Sequence, residues 1–110
     1  MKHVMLDLET LGTTADAVIL SIGAVKFDLD SNAMDDEGFY ASISIDSNLD
    51  ARRRIDEDTL VWWMSQSEQA RAVFAEPKQT LDGALGSLAD WLGHNKRYVW
   101  SNGASFDIPM

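Results

Sequence analysis

Residues 2–14 have the sequence KHVMLDLETLGTT and residues 18–27 have the sequence VILSIGAVKF, and these two stretches decide the fold. The first is largely apolar as far as Leu8 and the second is rich in β-branched residues, so both are predicted to form strands. Residues 10–14 between them are typical of turns. The two strands are therefore predicted to be antiparallel neighbours joined by a loop.

A third strand is predicted over residues 39–45, after a polar, acidic connection at residues 28–38. Apolar and polar side chains alternate there with the period of two that is typical of β-structure. The apolar positions are Phe39, Ala41, Ile43 and Ile45, and the polar ones are Tyr40, Ser42 and Ser44. We expect the first half of the fold to be an antiparallel meander of three strands.

Three helices are predicted downstream. The first begins near Thr59, where Asp56 and Asp58 can cap it. The second begins at Ser67 and cannot continue past Pro77. The third has the clearest stripe of leucines at helical spacing, and its cap and stripe residues are Thr80, Leu81, Leu85, Leu88, Leu92 and Gly93.

A fourth strand is predicted at residues 98–100, and a crossover from the last helix makes it parallel to the first strand. The expected fold class is α/β, with a mixed sheet of three antiparallel strands, then helices, then a parallel strand. Residues 102–105 predict a turn into a helix, and the sequence ends one turn later at Met110. Because one unpacked turn is unstable, we expect residues 1–110 to form a single domain that is incomplete at its C-terminus.

Two carboxylates come at the end of the first strand. Asp7 and Glu9 are two residues apart, which sends both to one face while Leu6 and Leu8 point into the core. Such side chains, roughly 6.6 Å apart along the strand, can flank a pair of cations about 4 Å apart, and hard oxygen ligands favour Mg²⁺ or Mn²⁺. The plain alternative is a pair of solvated strand-end residues, since Asp-x-Glu alone is a weak pattern.

Composition limits the function classes. The net charge is −9, from 18 acidic residues against 9 Lys and Arg, which argues against a protein that binds nucleic acid mainly through its phosphates. A nuclease that works through bound cations tolerates this balance, although the charge alone indicates only solubility. The lack of cysteine excludes disulfides and thiolate metal sites, and with no recognisable signal peptide or bilayer-length apolar run we expect a cytoplasmic protein without a membrane partner.

Three segments carry a family pattern: MLDLETLG at residues 5–12, ILSIGAV at residues 19–25, and Phe106-Asp107 after a predicted strand and turn. Together they resemble the DEDD superfamily of 3′-to-5′ exonucleases, which has an RNase H-like fold. Residues 58–63, DTLVWW, with Gln66 are similar to a phage and bacterial branch described as exoribonuclease-like. The resemblance spans the whole chain.

The resemblance implies a two-metal reaction. Asp7, Glu9 and Asp107 would be the catalytic residues and the ligands of two Mg²⁺ or Mn²⁺ ions, with Glu9 also contacting the attacking water. The substrate would be the 3′ end of single-stranded RNA or DNA, and the products nucleoside monophosphates. The resemblance also implies five substrate-binding residues, namely Thr10, Leu11, Gly12, Asn102 and Phe106.

The chain departs from the family pattern in one respect: it has no third motif, with its last aspartate and, in one branch, a histidine base. His3 and His94 do not occupy that position and are interpreted as surface or packed side chains. We therefore expect these residues alone to cleave poorly. The rival hypothesis is a catalytically inactive interaction module, and the sequence leaves open both RNA against DNA and whether a homodimer covers the unfinished sheet edge.

The four tryptophans invite a base-stacking interpretation, but the core is their usual place. Trp91 and Trp100 lie in apolar patterns and are predicted to be buried. Trp62 and Trp63 point to different sides of one helix, so one of them can be exposed. Residues 52–54, three arginines, are the one basic cluster, and a solvated loop explains them more simply than phosphate steering.

Overall fold

The computed structural model describes residues 2–31, 33–34, 37–94 and 97–101. Its strands are β1 (His3–Thr10), β2 (Ile19–Phe27), β3 (Phe39–Ser42) and β4 (Tyr98–Ser101). Its helices are α1 (Ile45–Asp50), α2 (Glu57–Met64), α3 (Glu68–Arg71), continued by a 3₁₀ turn at Ala72–Ala75, and α4 (Leu81–Leu92). None of the described helices is both long and apolar enough to cross a membrane.

The four strands form one sheet in the order β3-β2-β1-β4. Strand β1 pairs antiparallel with β2, β2 pairs antiparallel with β3, and β4 lies parallel to β1 on its other side. The α/β class and the strand directions predicted from sequence are confirmed. The register places Asp7 opposite Gly23, and Gly23 opposite Tyr40, in one row across three strands.

Two apolar clusters hold the described chain together. The larger, which we call the sheet–helix core, joins one face of the sheet to α4 and consists of Val4, Leu6, Leu8, Ile19, Ile22, Ala24, Ala41, Ile43, Leu81, Ala84 and Leu88. The smaller, which we call the Trp63 cluster, consists of Leu11, Val18, Leu20, Trp63 and Val73. The first cluster covers the face of β1 opposite the carboxylates, whereas the second lies where β1 runs into its loop.

The predicted caps explain the helix boundaries. Asp56 accepts a hydrogen bond from the backbone N–H of Thr59, and Ser67 accepts one from that of Ala70. Thr80 caps α4 in the same way, and Gly93 follows its last turn with a φ of 75° that favours glycine. The predicted starts and ends of these helices are confirmed to within about two residues.

The third strand is shorter than predicted, and a helix was missed. β3 ends at Ser42, because Ser44 leaves the alternating pattern to cap α1 by accepting from the N–H of Ser47. Inside α1 the fully buried Asn48 replaces strand pairing at the start of β2: its side chain accepts from the N–H of Ile19 and donates to the Ile19 carbonyl. These two hydrogen bonds satisfy a backbone position that a longer β3 would have paired.

The prediction that Trp100 is buried is wrong. Its ring is 48% exposed on β4 and its indole nitrogen donates to Nδ1 of His3, 3.0 Å away. The apolar sequence of β4 suggested burial, but within the described part of the chain the side chains on both faces of this edge strand are largely exposed. Trp91, predicted to be buried, is partly buried against the sheet–helix core. Of the α2 pair, Trp63 is 5% exposed and Trp62 is 55% exposed, as predicted.

Candidate active site

The two carboxylates of β1 lie where the two-residue period places them. Asp7 and Glu9 are exposed on one face of the sheet, while Leu6 and Leu8 are buried on the other. The predicted orientation of these four side chains is confirmed. Carboxylate oxygens are the ligand type that hard divalent cations prefer.

Both carboxylates open into one cleft of about 480 Å³, which we call the carboxylate cleft. Its floor is the sheet and its walls are α2 and the segment from Gln69 to Glu76. Its described lining residues are Asp7, Glu9, Ser21, Gly23, Tyr40, Trp62, Trp63, Gln69, Ala70, Ala72, Val73 and Glu76. This volume can hold a nucleotide-sized ligand.

A second cleft of about 560 Å³, the loop cleft, adjoins the first. The two share Glu9, Trp62 and Trp63, so the exposed Trp62 ring divides them. The loop cleft is lined by Leu8, Glu9, Thr10, Gly12, Thr13, Asp56, Asp58, Thr59, Trp62 and Trp63. The described lining of the two clefts includes no Lys, Arg or His, so it supplies no positive charge to a phosphate.

The floor of the carboxylate cleft is open between Asp7 and Tyr40 because Gly23 lies between them. A Cβ at Gly23 would stand 3.9 Å from the Asp7 carbonyl oxygen and 4.0 Å from Cδ1 of Tyr40, which is ordinary contact. The backbone thus tolerates a side chain at Gly23, and its absence leaves space beside the carboxylates. Such a space next to exposed oxygen donors fits a hydrated cation.

Tyr40 extends from β3 to the opposite wall. Its hydroxyl donates a hydrogen bond of 2.9 Å to Oε1 of Glu76. Desolvation of the hydroxyl and the hydrogen bond to the Glu76 carboxylate raise the pKa of Tyr40, while the neighbouring Ser21 hydroxyl acts in the opposite direction. The phenol is therefore a neutral hydrogen-bond donor at physiological pH.

Helix α2 is fixed to the end of β1 by Trp63. Its indole nitrogen donates to the carbonyl oxygen of Thr10 at 2.9 Å, and its ring makes edge contacts with Phe74 at 5.5 Å and Trp62 at 5.3 Å. The buried ring thus positions the exposed one. Trp62 presents an open aromatic face next to Glu9, the arrangement that favours stacking on a base.

The loop after β1 has clear structural roles. The side chain of Leu11 is fully buried in the Trp63 cluster, and its backbone bonds to Val18 and Asp56. The Thr10 hydroxyl donates to the Gly12 carbonyl at 2.7 Å, and a Cβ at Gly12 would lie 2.9 Å from that of Ala17. Only glycine fits at residue 12 without a shift of the loop. Contact of these residues with substrate stays a prediction, and for Leu11 it can involve only the backbone.

A divalent metal fits the donor chemistry of the site, since Asp7 and Glu9 offer exposed carboxylate oxygens beside the open floor at Gly23. Within the described part of the chain, no cluster of three or more His, Asp or Glu side chains is close enough to hold a metal. The remaining predicted residues, Asn102, Phe106 and Asp107, lie outside the described residues. The described part of β4 ends at Ser101, which pairs with Leu6 one residue before Asp7.

Neither histidine lies in the site. His3 packs against Phe27 and Tyr98 at the far end of β1, and His94 is exposed after α4. Of the three arginines, Arg53 holds the loop after β1 in place by donating to the carbonyls of Ala15 and Ala17. Its role is therefore structural rather than that of a purely solvated side chain.

Sequence reasoning missed Gly23, Tyr40 and Glu76 as parts of the site. The two-residue period of β2 and β3 could have placed Gly23 and Tyr40 on the face of Asp7, had the register been known. Glu76 offered no such pattern, because it lies in irregular backbone after the 3₁₀ turn.

Comparison with known proteins shows which family the chain belongs to. A family profile described as the 3′-5′ exoribonuclease Rv2179c-like domain matches residues 2–110. An exodeoxyribonuclease of Enterobacteria phage T4 is 29% identical over an alignment covering 100% of this chain and 54% of the phage protein, so the chain spans about half the length of that relative. The crystal structure of cell-death related nuclease 4 (CRN-4) superposes with a TM-score of 0.47 at 11% identity, over 91% of this chain and 34% of that one. Because the family profile covers nearly all of its residues, the chain belongs to the Rv2179c-like 3′-5′ exoribonuclease domain family.

Proposed function

We propose that the chain provides the first carboxylates of a divalent-metal-dependent 3′-to-5′ exonuclease that releases nucleoside monophosphates from single-stranded RNA or DNA. The observation that carries the proposal is the shared cleft: Asp7 and Glu9 are exposed side by side next to Trp62 in a member of an exonuclease family. A pair of solvated surface acids would not need an adjoining nucleotide-sized space or an aromatic wall.

Asp7 and Glu9 are the proposed holders of Mg²⁺ or Mn²⁺, with Asp107 as a further ligand and two ions in the complete site. When bound, such ions would lower the pKa of water, which makes hydroxide available as the nucleophile, and would offset the negative charge that develops on the phosphate. Glu9, at the junction of the two clefts, is the side chain proposed to orient the attacking water. Asp7, which lies opposite Gly23 in the register of β1 and β2, would hold a cation whose positive charge favours the phosphate of the substrate.

Trp62 is proposed to hold the terminal base. The net charge is −9 and the described lining of the two clefts has no cationic side chain, which favours a mode of binding that does not rely on Lys or Arg contacts to phosphate. Stacking on an exposed ring is independent of that charge and tolerates any base. We therefore expect oligonucleotide binding that requires a divalent cation and decreases only slightly with added monovalent salt. Thr10, Gly12, Asn102 and Phe106, with the backbone of Leu11, remain proposed contacts around that nucleotide.

Whether the substrate is RNA or DNA depends on recognition of its sugar. The family description names a ribonuclease and the phage relative is named a deoxyribonuclease. A 2′-hydroxyl distinguishes the two polymers at a single site, so parallel assays on RNA and DNA of one sequence are required. The lack of cysteine suits a reducing compartment, and we propose the cytoplasm.

The direct test is cleavage of 5′-labelled single-stranded hexanucleotides, RNA and DNA, in Mn²⁺. The proposal expects one-nucleotide shortening from the 3′ end and release of monophosphates, even if slow. Removal of the metal with a chelator should stop the reaction, and Asp7→Ala and Glu9→Gln should reduce it at least about a hundredfold.

One control is an oligonucleotide whose 3′ end is phosphorylated. The other is the variant Asp58→Asn, because Asp58 is an exposed acid that lines the loop cleft only. Cleavage that starts at the 5′ end, or activity that survives both Asp7→Ala and Glu9→Gln, would contradict the proposal. A wild-type chain that neither cleaves nor binds the oligonucleotides in Mn²⁺ would favour the inactive interaction module instead.

A further inference from the structure

Tyr40 lies in the same row of the sheet as Asp7, two strands away. With strands about 4.8 Å apart, the two Cα atoms are roughly 10 Å from one another, and Gly23 leaves the space between them open. The Tyr40 side chain is 56% exposed, so packing alone does not hold it. Its hydroxyl donates to Glu76, 36 residues further along the chain, and also has the Ser21 hydroxyl of the neighbouring strand as a hydrogen-bond partner.

Glu76 ends the segment that forms the far wall of the carboxylate cleft, from Gln69 to Glu76. This wall has an anchor on each side. Val73 is buried in the Trp63 cluster, and after Glu76 the backbone N–H of Gln79 donates to the carbonyl of Ser42 at the end of β3. Between these anchors, the hydrogen bond from Tyr40 ties the wall to a strand of the cleft floor.

We propose that Tyr40 is a positioning residue of this site: its hydrogen bond to Glu76 holds the far wall at the distance from Asp7 and Glu9 that grips a nucleotide. The inference rests on the proposed nuclease function, since the nucleotide is what the wall retains. Tyr40 touches neither the reacting phosphate nor a metal in this account. It acts through Glu76 and the backbone of the wall.

The same hydrogen bond also fixes the position of the negatively charged Glu76 carboxylate. Glu76 is the third carboxylate of the cleft, beside Asp7 and Glu9. A carboxylate that turned inward would repel an incoming phosphate, whereas one engaged by the Tyr40 hydroxyl stays at the wall. Loss of the hydroxyl should therefore weaken substrate binding in two ways, through a looser wall and through a freer negative charge.

A stability role alone is a poor explanation of the pair. Hydrogen bonds between exposed or half-exposed groups contribute little to the free energy of folding, because water replaces the lost partner. Tyr40→Phe keeps the ring over Gly23 and removes only the hydroxyl. Glu76→Gln keeps an acceptor oxygen on a side chain of the same length and removes only the charge, which separates the hydrogen bond from the carboxylate.

The test measures the dissociation constant of a 5′-fluorescein hexaadenylate, as RNA and as DNA, by fluorescence anisotropy in Ca²⁺ and in chelator, together with KM and kcat in Mn²⁺. Tyr40→Phe and Glu76→Ala should each raise the dissociation constant and KM about threefold to tenfold with kcat changed less than about twofold. The double variant should be no weaker than either single variant, because both remove one interaction. Glu76→Gln should bind within about twofold of wild type.

Tyr98→Phe is the matched control, since Tyr98 is an exposed tyrosine on β4 outside both clefts. Equal binding by wild type and Tyr40→Phe would overturn the inference while leaving the proposed nuclease function intact, provided that Asp7→Ala loses metal-dependent binding. A fall in kcat and unfolding temperature without a change in KM would also overturn it. A wild-type chain that binds neither probe in a metal-dependent way removes both proposals.

Discussion

The two apolar clusters of this molecule do different work. Among the described residues, the sheet–helix core contains eleven buried side chains and covers the face of β1 that points away from Asp7 and Glu9. The Trp63 cluster contains five, and its central ring bonds to the last residue of β1 and contacts the exposed Trp62. Both clusters therefore contribute to folding stability, whereas the shape of the site depends on the Trp63 cluster alone. Variants in either cluster should lose stability, but only variants in the Trp63 cluster should also lose ligand binding.

The largest expected effect is that of Trp63→Ala. Removing a buried indole with its hydrogen bond to Thr10 should lower the free energy of unfolding by about 3 to 5 kcal/mol, measured by urea denaturation. It should also abolish binding of the hexaadenylate, because Trp62 loses its support. Trp63→Phe retains most of the ring and should lose about 1 to 2 kcal/mol. Full oligonucleotide binding by a folded Trp63→Ala chain would contradict the role assigned to this cluster.

Leu88→Ala is the corresponding change in the sheet–helix core. The side chain is 7% exposed, and its truncation should lower the free energy of unfolding by about 2 to 4 kcal/mol. Binding of Mn²⁺ and of the oligonucleotide should stay within about twofold of wild type at temperatures where the variant is folded. If Leu88→Ala weakened binding as much as the change at Trp63, the division between the two clusters would be wrong.

Trp62→Ala tests the exposed ring that lines both clefts. Its ring is 55% exposed, so the free energy of unfolding should change by less than about 0.5 kcal/mol. The dissociation constant of the hexaadenylate should rise about fivefold to a hundredfold, the range for one stacked base. Met64→Ala, an exposed side chain on the same helix that lines neither cleft, serves as the control. A probe with an abasic 3′ residue should bind wild type and Trp62→Ala equally.

Much of the fold could be predicted because local chemistry and long-range packing agree. The period of two in β1 placed Asp7 and Glu9 on one face, and side-chain caps at Asp56, Ser67 and Thr80 marked three helix starts. Helix α1 was missed because Ser44 continues the alternation of β3 while serving as a cap. Ser44 ends the strand because its side chain caps α1. That role could not be seen in the alternating pattern, because it accompanies the buried hydrogen bond between Asn48 and Ile19, which only the structure shows.

The candidate site was predictable only in part. Asp7 and Glu9 are two residues apart in one strand, so strand geometry suffices to bring them to one face. Tyr40 and Glu76 are joined across 36 residues, and their contact depends on the register of β3 and on irregular backbone after the 3₁₀ turn. No pattern in the sequence contains that information. The prediction that Trp100 is buried failed for a similar reason, because the exposure of a side chain on an edge strand depends on what packs against that strand.

The smallest expected effect lies in the loop outside both clusters. The hydroxyl of Thr14 donates to Asp16 and holds the pKa of that exposed carboxyl below its ordinary value. A lowered acid pKa stabilises the fold above the pKa of the unfolded chain and loses that contribution as the pH falls through the lowered value. Thr14→Val should therefore lower the unfolding temperature slightly at pH 7 and not at pH 2. Thr13→Val, in the adjacent exposed position, should show no such pH dependence.

The measurement closest to the central claim is calorimetric titration of the chain with Mn²⁺. Wild type should bind Mn²⁺ saturably, Asp7→Ala should lose at least about tenfold in affinity, and Asp58→Ala should bind with unchanged affinity. Binding of Mn²⁺ that is equally strong in wild type and Asp7→Ala, or that depends on Asp58 instead, would contradict the claim that the β1 carboxylates form the metal site.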